Sequence, residues 1–209
     1  AAMDDGAAAA LLAERFIREL LRNGTTTAMV FASVQPGSAE VFFRSAERYG
    51  LRMISGKVLQ DRLVPASLSE PVQQAREHTD ELIERWHGRG RLSYALTPRF
   101  APACSDELLA WCGERLQCQP DLYLQTHLAE TRAECERVQQ LFPKRLGYLD
   151  VYDHHGLLRP RSLFAHAIHL TPAEQERLGA SGASVAHCPS SNLLLGSGLM
   201  PLQGLRAAG

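Results

Sequence analysis

The sequence predicts an α/β fold of parallel strands, on three observations. Helix-like and strand-like hydrophobic periods alternate along the whole chain, the helices open at recognisable caps, and glycines close several of them. Strict alternation implies parallel strands joined by right-handed crossovers, which leaves an open doubly wound sheet or a (β/α) barrel. Six strands in 209 residues is about three quarters of a (β/α)8 barrel, since a complete one runs to roughly 250 residues.

The first helix follows Asp4-Asp5-Gly6. It places Leu12, Phe16 and Leu20 four apart, with Ile17 and Leu21 beside them, and closes at Asn23-Gly24. The β-branched run from Thr25 to Phe31 suits a pleated strand. A helix over about 38–49 ends at Gly50 and leads into strand 51–59. The next carries Val72, Ala75, Thr79, Leu82, Ile83 and Trp86 on one face and leads into strand 92–97. Ser105 caps a helix bearing Leu108, Leu109 and Cys112, which precedes strand 122–126. Thr131-x-x-Glu134 is a capping box opening the helix after it. Thr171-Pro172-x-Glu174 repeats the device with proline at the first helical position, between strands 162–168 and 183–186. No internal repeat beyond this unit and no linker divides the chain, so residues 1–209 read as one domain.

Composition narrows the function. Lys and Arg number 22 against 23 Asp and Glu, a net charge of −1, where a phosphate-tracking nucleic-acid surface needs a basic excess. Hydrophobic residues at 45% and charged ones at 22% suit a folded globular chain. No apolar run approaches the roughly 20 residues of a membrane span, and Asp4 and Asp5 stand where a signal peptide carries Lys or Arg. The five cysteines are odd in number, widely spaced and form no C-x-x-C, which fits a reducing cytoplasm.

In parallel α/β architectures the carboxyl ends of strands face the ligand. Here the third strand ends in Thr97-Pro98-Arg99-Phe100, the fourth in Thr126-His127-Leu128-Ala129-Glu130, the fifth in Ala165-His166-Ala167-Ile168-His169 and the sixth in His187-Cys188-Pro189-Ser190-Ser191-Asn192. Three successive strands thus bring histidines to one rim, as a zinc-type site requires: converging nitrogen and carboxylate ligands with one position open for water. Glu130, just beyond His127, is placed to carry a proton without being a ligand. Arg99 and Phe100 offer a guanidinium fork and an aromatic face to a planar, carbonyl-bearing heterocycle. His78, His154 and His155 read as exposed loop or helix residues, and Gly196-Ser197-Gly198 matches no phosphate-binding loop.

Together these motifs resemble the guanine deaminases of the zinc-dependent amidohydrolase superfamily. The likeness runs over nearly the whole chain through Asn23–Ala28, Gly56-Lys57-Val58 with Asp61, Thr97–Pro102, Gln125–Glu130, Val151-Tyr152-Asp153, Ala165-His166 and His187–Leu193. It implies an incomplete (β/α)8 TIM-type barrel, roughly strands two to seven, whose intact parent hydrolyses guanine to xanthine and ammonia in the cytoplasm. It further implies one zinc ion, with iron an alternative, a small-molecule purine substrate and a homodimer; the charge balance and the lack of a long apolar run argue against nucleic-acid and membrane partners. His127 then corresponds to a metal ligand, Glu130 to the proton shuttle, His166 to the histidine beside the metal-bound water, and Arg99 with Phe100 to the guanine contacts. The family's His-x-His pair on the first strand and its Asp on the eighth have no counterpart in this sequence. The resemblance therefore implies an inactive fragment of an active parent. A related hydrolase of another amino- or halo-substituted heterocycle, and a non-catalytic truncated barrel, are the alternatives.

Overall fold

The structure is a computed structural model that describes residues 6–209; Asp4 and Asp5 lie outside the described residues. The chain divides into two compact units, the first running to Gln60 and resuming over Val64–Thr97, the second formed by Asp61–Leu63 and Pro98–Gly209.

The first unit runs α1 (Gly6–Arg22), β1 (Thr27–Phe31), α2 (Pro36–Arg48), β2 (Arg52–Gly56), the two-residue β3 (Val58–Leu59), α3 (Val72–Trp86) and β4 (Leu92–Pro98) as far as Thr97. β1 pairs in parallel with β2 from Thr27↔Arg52 to Phe31↔Gly56, and β2 with β4 from Met53↔Leu92 to Ser55↔Tyr94. The strand expected over 51–59 is thus broken at Lys57. Gly56 marks the break, because a Cβ there would lie 2.0 Å from the Ala95 carbonyl oxygen. Lys57 is fully buried, and its ammonium is paired with Glu70, whose other oxygen meets His78 Nδ1 at 2.7 Å. His78 is therefore a helix residue, as expected, but a half-buried and bonded one rather than an exposed one.

The first core centres on Phe43, whose ring stacks on Trp86 at 5.6 Å and on Tyr94 at 6.1 Å. The face expected of α3 is the buried one at Ala75, Thr79, Leu82, Ile83 and Trp86. α1 differs from expectation: it buries Ala9, Ala13 and Ile17, while Leu12 and Phe16 remain 45% and 42% exposed. Alanine lets two helices approach closely, and the larger side chains are displaced to the flank, where Leu12 and Phe16 line an apolar cavity with Phe31 and Phe42.

The second unit holds a 3-10 turn (Ala101–Ala103), α4 (Asp106–Cys118), β5 (Tyr123–Leu128), α5 (Arg132–Leu141), α6 (Tyr148–His154), β6 (Ser162–His166), α7 (Pro172–Ala180), β7 (Ser184–Ala186), α8 (Pro189–Leu194) and α9 (Leu202–Ala208). β5 and β6 pair in parallel from Leu124↔Ser162 to Leu128↔His166, and β6 pairs with β7 from Leu163↔Ser184 to Ala165↔Ala186. The caps behave largely as their residues dictate. Ser105 accepts from the Leu108 N–H, and Thr171 with Glu174 makes both halves of the capping box. At α5 only the Thr131 half forms, because Glu134 is turned inward: burial, then the charge of Glu130, holds its carboxyl above the usual range. No helix among the described residues is long and apolar enough to cross a membrane.

Candidate active site

The site is built where β5 and β6 end. Paired residues of parallel strands share a face, so the Leu128↔His166 register places His166 opposite in facing to His127. The backbone breaks that alternation at His166, which has φ +73°, followed by Ala167 at +49°; Ala129, one residue beyond β5, has φ +48°. Left-handed conformations at non-glycine residues cost of order 1–3 kcal/mol each and persist only where the surroundings enforce them. Here the Ala167 N–H donates to the Leu128 carbonyl at 2.8 Å, and the Ile168 and His169 N–H groups both donate to Ala129 at 3.1 Å. As a result the imidazoles of His127 and His166 stack, with centroids 5.5 Å apart and planes 19° from parallel.

Each ring is oriented by its Nδ1. That of His127 lies 2.6 Å from the Arg99 carbonyl, which can only accept, so Nδ1 carries the proton and Nε2 its lone pair. The same carbonyl accepts the His127 backbone N–H at 3.2 Å and the Thr126 hydroxyl at 3.3 Å. Burial is the main cause that lowers the His127 pKa, and it outweighs the Arg99 carbonyl bond and the charge of Glu130, which act the other way. His127 is therefore neutral at neutral pH. His166 Nδ1 lies 2.7 Å from Asn192 Oδ1, and its Nε2 lies 3.7 Å from Glu130 Oε2. The other Glu130 oxygen receives the Ser197 hydroxyl at 3.3 Å.

Tyr152 fastens this arrangement from below. Its hydroxyl donates to the His127 carbonyl at 2.8 Å, accepts the Ala101 N–H at 2.9 Å and meets the Thr126 hydroxyl at 3.1 Å, the last two of these bonds being buried. The Arg99–Ala101 segment and the end of β5 are thereby bolted together. The Arg99 guanidinium lies 5.2 Å over the Phe100 ring, on an otherwise exposed side chain.

The structure brings His127, Glu130 and His166 together and joins Arg99 to them through its carbonyl. His187, on the third histidine-bearing strand, is exposed and faces a different cleft with Leu178, Met200 and Leu205. His169 Nε2–H donates to the Ser197 carbonyl at 2.9 Å. His155 corrects the expectation of an exposed residue: its side chain is 7% exposed, 3.4 Å from Asp106. Tyr152, Asn192 and Ser197 are the contributors that sequence reasoning gave no role, although Tyr152 and Asn192 stood inside motifs already singled out.

Among the described residues no group of three or more His, Cys, Asp or Glu side chains is placed to hold a metal ion. The donor chemistry of the two histidines nevertheless fits a metal. Metal-ligating imidazoles are typically fixed through one nitrogen by a carbonyl or side chain, and both rings are held through Nδ1 in that way.

Residues 2–209 match the model of the Amidohydrolase family. The chain belongs to the amidohydrolase family. It is 47% identical to guanine deaminase of Escherichia coli over 90% of its own length and 43% of that protein, and 44% identical to a probable guanine deaminase of Deinococcus radiodurans over all of its length and 48% of that protein. This amidohydrolase chain thus spans under half the length of those relatives. Among solved structures it superposes on the E. coli guanine deaminase with TM-score 0.96, covering 98% of this chain and 48% of the other. On a guanine deaminase of C. acetobutylicum with bound guanine the TM-score is 0.89 at 32% identity, over 95% and 49% of the two chains. The expected fold class is borne out: the chain is an incomplete TIM-type barrel of parallel strands and helices.

Proposed function

We propose that this amidohydrolase chain is the section of a guanine deaminase that carries its proton shuttle and purine contacts, within one partial barrel over residues 1–209. The observation that carries the reading is the bond between His127 Nδ1 and the Arg99 carbonyl, which ties the Thr-Pro-Arg-Phe purine motif directly to the His-x-x-Glu motif of proton transfer. The identity to guanine deaminases supports the choice of substrate.

In this reading His127, through Nε2, is a ligand of a single zinc ion, and further donors come from sequence outside these 209 residues. A zinc ion held there would lower the pKa of a coordinated water to roughly 7 and so make a nucleophile available at neutral pH. Glu130 takes a proton from the attacking water and passes it to the purine ring nitrogen beside the amino-bearing carbon, then takes the remaining hydroxyl proton and passes it to the amino nitrogen, which leaves as ammonia. His166 holds its Nε2 toward Glu130 and orients the attacking water. Arg99 donates to the purine carbonyl while Phe100 lies against the ring, an electrostatic contact strengthened where water is excluded. The chain by itself is assigned no turnover. The intact protein is read as a cytoplasmic homodimer of purine catabolism, without nucleic-acid or membrane partners.

A substrate panel on the intact protein tests the reading. Guanine is expected to be turned over with the highest kcat/KM, well ahead of adenine, cytosine, melamine and a chlorotriazine. Preference for any of the others would overturn it in favour of a related heterocycle hydrolase.

A further inference from the structure

We propose that Asn192 and Ser197 are positioning residues for the proton-transfer pair, Asn192 fixing the tautomer of His166 and Ser197 fixing which oxygen of Glu130 carries the proton. For its activity this rests on the function proposed above; for its geometry it does not.

The starting point is Gly196-Ser197-Gly198, a segment that fits no phosphate-binding loop. Its backbone is committed to one shape. Gly196 has φ +68° and Gly198 φ +123°, and a Cβ at Gly198 would lie 3.2 Å from Ile168 Cγ2. Those two conformations strongly favour glycine, and between them Ser197 is held at three points. Its N–H donates to the Asn192 carbonyl at 2.8 Å, its carbonyl accepts from His169 Nε2–H at 2.9 Å, and its hydroxyl reaches Glu130 Oε1 at 3.3 Å. Ser197 is 5% exposed and Asn192 1%. A buried serine pinned on both sides has little freedom to point its hydroxyl elsewhere.

The consequence for Glu130 is an inequality between its oxygens. Oε1 accepts from Ser197, and Oε2 is the one 3.7 Å from His166 Nε2. A carboxylate protonates at the oxygen whose lone pairs are less engaged, so Oε2 is the proton-carrying atom. The consequence for His166 is equally specific. Asn192 Oδ1 accepts from Nδ1–H at 2.7 Å, which leaves a lone pair on Nε2, facing the oxygen that delivers the proton. The Asn192 amide nitrogen is buried with no hydrogen-bond partner in this orientation. The amide oxygen is therefore the atom through which Asn192 holds the His166 ring.

The test uses the intact protein. Ser197→Ala is expected to lower kcat on guanine about tenfold or more with KM within twofold, and to leave metal content and the unfolding midpoint unchanged. Ser197→Thr, which keeps the hydroxyl, is expected to recover most of the loss. A merely structural role moves the midpoint and is not rescued by threonine in kcat alone. Independently of turnover, ring 15N NMR of His166 is expected to show the Nδ1–H tautomer in the wild type and in Asn192→Asp, and its loss in Asn192→Leu. A Ser197→Ala variant within twofold of wild-type kcat, or a wild-type His166 carrying its proton on Nε2, would overturn the proposal. Should the wild type leave guanine untouched, the function proposed above fails, and the NMR arm alone decides this one.

Discussion

Replacing Tyr152 with phenylalanine removes one oxygen atom and little else, since the ring remains packed against Phe164 at 5.4 Å. The hydroxyl joins three groups: the His127 carbonyl at 2.8 Å, the Ala101 N–H at 2.9 Å and the Thr126 hydroxyl at 3.1 Å. Thr126 retains the Arg99 carbonyl at 3.3 Å, so two backbone groups lose the Tyr152 partner. Each buried group left unsatisfied costs about 1–3 kcal/mol, and neighbouring losses are not fully additive. The expected destabilisation is therefore about 2–4 kcal/mol, a fall in Tm of roughly 5–15 °C for a domain of this size. Urea or thermal unfolding followed by circular dichroism measures it. The same change frees the carbonyl of His127 and should lower kcat more than it raises KM. A Tyr152→Phe variant within about 0.5 kcal/mol of the wild type would refute the claim that this hydroxyl fastens the Arg99 and His127 segments together.

Phe43→Ala, which empties the stack against Trp86 and Tyr94, should cost about 3–5 kcal/mol, measured by the shift of the denaturant midpoint at constant slope. Arg99→Ala should raise KM for guanine at least tenfold with metal content unchanged, because the guanidinium is assigned to the purine while the carbonyl that holds His127 is backbone; isothermal titration with xanthine checks it. At Asp150, burial raises the carboxyl pKa, but hydrogen bonds from Arg177 and the Leu146 N–H, with the charge of Arg177, outweigh it and the net shift is downward. A carboxyl that titrates lower when folded adds stability above the unfolded value of about 4 and loses it as pH falls through the folded value. Asp150→Asn should accordingly destabilise at neutral pH, by under about 1 kcal/mol given the exposure of Arg177, and the gap from the wild type should close in acid.

Local chemistry was readable from the sequence and long-range geometry was not. The capping box at Thr171 and Glu174 closes within one helical turn, so its two residues suffice to specify it. The same four-residue pattern at Thr131 forms only half, because Glu134 is drawn inward by packing that its spacing does not encode. That His127, Glu130 and His166 lie together was legible because strand ends converge in parallel folds, whereas the exposed His187 shows that a strand-end histidine is not always turned to the same place. The anchors were hidden for a simple reason. Arg99 acts on His127 through a carbonyl that every residue possesses, and Ser197 reaches Glu130 across sixty-seven positions of sequence by way of two left-handed glycines. In α1 the hydrophobic pattern specifies a helix and Ile17 is buried as its pattern suggests, but close packing buries Ala9 and Ala13 in place of Leu12 and Phe16.

The central claim is that Glu130 carries the proton in guanine deamination by the intact protein. Guanine turnover by Glu130→Gln, measured beside metal content, tests it most directly. The account predicts that the variant keeps its metal and loses most of kcat, by at least a hundredfold; a metal-loaded variant with near-normal turnover would contradict it.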